Sequence, residues 1–364
     1  MAKSRIPGID LPWWSLLAPV LACGLLPAVQ GDFLPDWQLV AVSAALVVSV
    51  LVAVFHAEVV AHRVGEPLGT LVLALCVTVI EVSLIVSLMF SGGSATSALA
   101  RDTVFATVMI ICNGVIGISV MIGALHHRIV SFSRDSISSA LSVLAALTTL
   151  TLVLPKFTTT TTGPTYSLSQ LIFAGGSSLL LYGVFIFVQT VRHREFFLHV
   201  DAGEPEEHAP PPGVGTALAS LCLLIFSLIA VVGLAKKLAP SIERGVAAVG
   251  APEAVVGVAI AALVLLPETL AALRAARLNR IQTSLNLALG SALATIGLTI
   301  PAVAAASVLF DIPLELGLSS LDTVLLFLTL LMSTITLAIG RATVLQGAVH
   351  LVVFAAFLFL SVVP

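Results

Sequence analysis

The sequence predicts an all-α polytopic membrane protein with about 11 transmembrane helices, an extra first helix followed by two inverted five-helix repeats. Three observations predict it. Of the 364 residues, 59% are hydrophobic and 10% charged, where a soluble domain carries about 25% charged residues, and the mean hydropathy is +1.14. The apolar residues fall into many runs close to the ~20 residues a helix needs to cross a bilayer. Those runs are apolar all round, without the alternation over ~10 residues that marks a membrane β-barrel.

Run length and punctuation place the spans at 11–29, 38–55, 67–90, 103–124, 138–154, 168–190, 214–234, 250–273, 284–308, 320–340 and 342–362. Lys3 and Arg5 precede the first, which lacks a small-residue cleavage site and reads as a retained helix. The second closes at His56, and the third runs from Pro67 to Phe90 around Glu81. Arg101 and Asp102 open the fourth; Arg134 with Asp135 and Pro155 with Lys156 bracket the fifth; a threonine-rich loop leads to the sixth. The segment "RHREFFLHVDAGEPEEHAPPPG", 192–213, is an acidic, proline-rich linker. Lys236 and Lys237 close the seventh span, Pro267 and Glu268 fall late in the eighth, Arg280 precedes the ninth, and Gly340 with Arg341 separates the last two.

The chain therefore divides into an extra helix (1–37), a first five-helix repeat (38–191), the linker (192–213) and a second repeat (214–364). Five spans reverse direction, so the second repeat enters the membrane from the opposite side, a common transporter plan. With the N-terminus inside, the inside segments hold Lys3, Arg5, Arg63, Arg128, Arg134, Arg192, Arg194, Arg274, Arg277, Arg280 and Arg341; Arg101, Lys156, Lys236, Lys237 and Arg244 fall outside. That bias predicts a cytoplasmic N-terminus and a C-terminus on the far side. The same orientation places His56, His62, His126, His127, His193, His199 and His208 at the cytoplasmic side and leaves His350 within a span.

A net charge of −3 gives no reason to expect nucleic acid, and the partners expected are the lipid bilayer and inorganic ions. A homo-oligomer stays open. The four cysteines lie in apolar runs without metal-ligand or paired spacing, and no cofactor is expected.

Of the nineteen Asp and Glu residues, Glu81 and Glu268 lie well inside apolar runs. An acid in that setting costs roughly 2.5 to 3.5 kcal/mol on insertion scales. They occupy corresponding parts of the repeats: "GEPLGTLVLALCVTVIEVSL" and "GAPEAVVGVAIAALVLLPETLAAL" each open with Gly and Pro, run apolar, and reach one Glu. Facing carboxylates from inverted repeats would make a midplane site for a hard cation such as Ca²⁺, which takes about six to eight oxygens, or for protons. Pro267 has no N–H for the Leu263 carbonyl, which becomes a further ligand candidate. Thr78 shares the Glu81 face at i−3; Asn113, Ser291, Thr269 and Thr295 supply other oxygens. Each hydroxyl could equally bond its own helix. Two close carboxylates in low dielectric cannot both stay charged uncompensated, so cation and protons compete, and that competition predicts antiport. A cation channel would need a continuous polar path, and an intramembrane metalloenzyme a His/Asp set.

The same motifs, with "NRIQTSLNLALGSALATIGLTIP" at 279–301, resemble the calcium/cation antiporter superfamily, most closely its bacterial ChaA-type branch of Ca²⁺/H⁺ exchangers. The resemblance extends over nearly the whole chain. It implies two inverted five-helix repeats in a bacterial inner membrane, an exchange of Ca²⁺, Na⁺ or K⁺ for H⁺, and Glu81 and Glu268 as the paired acidic residues. Asn113 and Ser291 then fall at the polar position of the following helices. Many members read Gly-Asn shortly before the glutamate; here "VTVI" and "VLLP" stand instead.

Overall fold

The structure, a computed structural model, describes residues 10–29, 34–65, 68–92, 96–192, 211–248, 250, 252 and 254–363. Most of the acidic linker, together with Lys3 and Arg5, lies outside the described residues. The helices are α1 (Trp13–Leu25), α2 (Asp36–Val64), α3 (Leu68–Gly92), α4 (Leu99–Met109), α5 (Ile116–His127), α6 (Arg134–Thr148) and α7 (Leu168–Phe187), then α8 (Val214–Ala248), α9 (Ala254–Val264), α10 (Leu266–Arg277), α11 (Ile281–Ala294), α12 (Ile300–Phe310), α13 (Ser320–Leu337) and α14 (Val344–Val362). Two short strands, β1 (Ile129–Ser131) and β2 (Arg341–Thr343), pair antiparallel. Among the described residues, nine spans are long and apolar enough to cross a membrane, and the bent pair α9–α10 makes a tenth. The predicted first span is the shorter α1, whose 13 residues reach about 20 Å of a roughly 30 Å core.

By contact the chain forms two compact units that cut across the sequence halves: Met1–Gly93 with Glu207–Gly250, and Ser94–Glu206 with Ala251–Pro364. In the first unit α2 lies along α8, and α1 and α3 pack against both. A proline explains how α1 is fastened. Pro19, inside α1, has no N–H for the carbonyl four residues back. That carbonyl is Ser15 C=O, and His56 Nε2 donates to it at 2.9 Å. The helix α2 continues past the predicted end of its span to Val64, and His56 is fully buried within it. Trp14 and Phe55, the residues preceding the two partners, pack with ring centroids 5.0 Å apart. His56→Leu should destabilise the protein by about 1–3 kcal/mol, the cost of a buried carbonyl left unsatisfied, read as a lower melting temperature in detergent.

In the second unit the spans Leu99–His127 and Ile281–Phe310 are each interrupted by a π-helical segment, at Ile110–Val115 and Thr295–Thr299. The two occupy corresponding places, in the span that follows each glutamate-bearing helix. The sheet pairs Ile129 with Thr343 and Ser131 with Arg341, so the loops after α5 and after α13 share one side of the membrane. The chain must then cross an even number of times between them. Counting α6, α7, α8, the bent pair, α11–α12 and α13 gives an even number only if α9–α10 crosses once; a re-entrant loop would make it odd. The opposite end is tied by Glu315 N–H to Ser97 C=O at 2.9 Å and Gly317 N–H to Pro164 C=O at 2.9 Å. In a protein with its native cysteines replaced by serine, Arg128→Cys and Arg341→Cys should be labelled by an impermeant thiol reagent from one side, and Thr160→Cys from the other.

Candidate functional site

Glu81 stands mid-helix in α3, whose apolar run leaves no reason to break it, and is 1% exposed. Thr78, one turn earlier and buried, donates its hydroxyl to Ala74 C=O at 2.8 Å. The proton of that hydroxyl is thus spent on the helix, and its lone pairs remain for another partner. Both residues belong to the first unit.

Glu268 belongs to the second unit and has a different setting. The helix breaks by 56° between α9 and α10, with Leu265 at φ −78°, ψ −4° between them. Pro267 at the second position of α10 is the cause: its ring excludes a continuous helix and it offers Leu263 C=O no N–H. Proline is tolerated in a first turn, so the helix restarts there. Glu268 consequently sits in the first turn of a new helix, at the positive end of its dipole. It is half-buried, and one of its carboxylate oxygens is fully buried. Arg274 and Arg277 are exposed in the last turn of α10, about 9 and 14 Å further along its axis.

Asn113 lies within the first π segment, fully buried. Its Nδ2 donates to Thr329 Oγ1 at 2.8 Å, and its Oδ1 faces His350 Nδ1 at 3.3 Å. Ser291 is half-buried on α11, one turn before the second π segment, whose Thr295 and Thr299 are buried. Within the second unit α10, α11 and the first π segment pack on one another, which brings together the elements bearing Glu268, Ser291 and Asn113. A π turn carries one residue more than an α turn, opens the backbone ladder locally, and recurs at functional sites.

Sequence reasoning missed the surroundings of Asn113. Thr329, Ser333 and Thr336 are all buried on α13, a polar stripe at i, i+4 and i+7 in an otherwise apolar span. That spacing, with His350 alone in its span, was the available signal.

The chain matches the family described as sodium/calcium exchanger protein over residues 37–191 and 219–363. It is 46% identical over 370 residues to the y4hA protein of Sinorhizobium fredii, covering all of both chains. It is 34% identical over 351 residues to the sodium-potassium/proton antiporter ChaA of Escherichia coli, covering 94% of each. Among solved structures it resembles native YfkE, with a TM-score of 0.71 at 15% identity over 96% of this chain and 100% of that one. It also resembles the H⁺/Ca²⁺ exchanger CAX, with a TM-score of 0.69 at 16% identity over 95% of this chain and 87% of that one. The described spans repeat that all-helical, polytopic architecture, and the sequence match covers both halves of the chain: this protein belongs to the sodium/calcium exchanger family.

Proposed function

We propose that this protein is a secondary active antiporter that moves cytoplasmic Ca²⁺, with Na⁺ and K⁺ as further substrates, out of the cell in exchange for protons. The carrying observation is the pair of intramembrane glutamates, Glu81 buried mid-helix in α3 and Glu268 in the first turn of a broken span. Relatives support the choice of ions: one is named a sodium-potassium/proton antiporter and one structural neighbour an H⁺/Ca²⁺ exchanger. None of these names supports a channel.

In this reading Glu81 and Glu268 bind either the cation or protons at the midplane. Asn113, Ser291, the lone pairs of Thr78 and the Leu263 carbonyl complete the oxygen shell with water. A dianionic, empty site is too costly to carry across the membrane, so the alternating step runs with one ligand or the other bound. The lysine and arginine bias supports a cytoplasmic N-terminus and a C-terminus on the far side, and the bacterial relatives support an inner-membrane location.

Everted membrane vesicles test this. With the interior acidified, added Ca²⁺ or Na⁺ should collapse the pH gradient, and an uncoupled conductance that ignores the gradient would refute exchange. Pro267→Ala restores an N–H to Leu263 C=O. It should raise the cation KM, because the carbonyl is then engaged by its own helix.

A further inference from the structure

His350 sits on α14, inside a span and fully buried. A polar ring at that depth needs partners at both nitrogens. It has them: Nδ1 faces Asn113 Oδ1 at 3.3 Å, and Nε2 faces Thr336 Oγ1 at 3.2 Å. Beyond Asn113, Thr329 donates its hydroxyl to Met109 Sδ at 3.2 Å. The sulfur can only accept and Thr329 has one proton to give, so the Thr329 oxygen is left to accept from Asn113 Nδ2. Asn113 turns Oδ1 to His350; His350 carries its proton on Nδ1; Thr336 donates to Nε2. Five side chains on three spans form one directed relay.

Three glycines let these spans approach closely enough. A Cβ on Gly117 would lie 3.1 Å from His350 Cβ, and one on Gly114 would lie 3.3 Å from the Phe354 ring. From the other side, a Cβ on Gly347 would lie 3.0 Å from Met121 N and 3.1 Å from Gly117 O. Helix α14 is thus seated on the interrupted span at the level of Asn113, an approach that small residues permit.

We propose that His350 is a positioning residue for ion exchange, holding the Asn113 amide so that its oxygen is presented in one fixed orientation. The proposal rests on the reading above that Asn113 contributes to the ion site. An amide oxygen has two lone pairs; one accepts from His350 and the other stays available to a cation. Without His350 the amide is held only through Nδ2, and the π segment keeps only its packing on α14. The role does not depend on charge, because a doubly protonated ring still donates from Nδ1 while Thr336 turns to accept.

The test compares His350→Asn, His350→Gln and His350→Ala in proteoliposomes, measuring cation-dependent proton flux against cation concentration. Asparagine places an N–H on Cγ, where histidine has Nδ1, and keeps the donor to Asn113. Glutamine places it one atom further out, and alanine has none. His350→Asn should retain the wild-type KM, while His350→Gln and His350→Ala should raise it by about tenfold or more, the scale of a lost outer-shell partner, with kcat changing little. Equal KM values in all four proteins would overturn the proposal. So would an equal loss in all three variants, because asparagine keeps the donor. If His350→Ala does not assemble, the asparagine and glutamine pair decides alone. Failure of the underlying site reading is separate: it would appear as an unchanged cation KM in Asn113→Ala.

Discussion

Glu81→Gln and Glu268→Gln should each abolish cation-driven collapse of a pH gradient, lowering exchange by more than about 100-fold, beyond the 10–100-fold range of outer-shell partners. Glutamine keeps the shape of the side chain and removes both the charge and the titratable proton. A carboxyl that only filled space would tolerate it. Glu81 is 1% exposed in an unbroken helix, so its carboxylate must be neutralised by a proton, a cation or a neighbour. Glu268 sits in the first turn of α10, at the positive end of its dipole. The two variants should therefore lose exchange alike but differ in stability. Glu81→Gln should leave the melting temperature unchanged or raise it, and Glu268→Gln should lower it slightly, by the ~0.3–1 kcal/mol of a helix N-terminal charge.

Gly257→Leu should prevent assembly of the protein. Gly257 lies on α9 where it packs on α4. A Cβ there would stand 2.9 Å from the Asp102 carbonyl carbon, 2.9 Å from its Cβ and 3.0 Å from Thr103 N. Two of those atoms are backbone, which cannot move aside cheaply, so Gly257→Ala should already cost about 1–3 kcal/mol, and leucine should force α9 off α4. Since α9 leads into the break before Glu268, whatever protein survives should exchange poorly. Gly176→Leu is the matched control, because a Cβ on Gly176 of α7 meets nothing within 4 Å. Yield and thermal stability after detergent extraction separate the two substitutions.

Much of the fold was legible because hydrophobic run length alone decides where helices cross a bilayer. The boundaries were less so, and the reason is long-range. His56, Glu58, His62 and Arg63 look like the end of a span, yet α2 runs on to Val64. The buried His56 is accommodated by a carbonyl that a proline in a different helix releases. The argument from Pro267 to an orphaned Leu263 carbonyl was available from the sequence, but the 56° bend and the placing of Glu268 at a new helix start were not, since a proline in a span can also be absorbed as a mild kink. The π segments were invisible: one additional residue in a turn leaves an apolar sequence looking the same. For the site, Glu81, Glu268 and Asn113 stood out by the cost of burying them, whereas Thr78 and Ser291 carry weaker signals. Thr78 does bond its own helix at Ala74, as hydroxyls in spans commonly do.

The central claim is that metal and hydrogen ions contend for the same two carboxylates. Adding Ca²⁺ to the purified protein in a weakly buffered detergent solution tests it without any transport step. The account predicts that Ca²⁺ binding releases protons, that its apparent affinity weakens as the pH is lowered, and that Glu81→Gln and Glu268→Gln diminish the release. Binding of Ca²⁺ with no proton release and with an affinity indifferent to pH would contradict it.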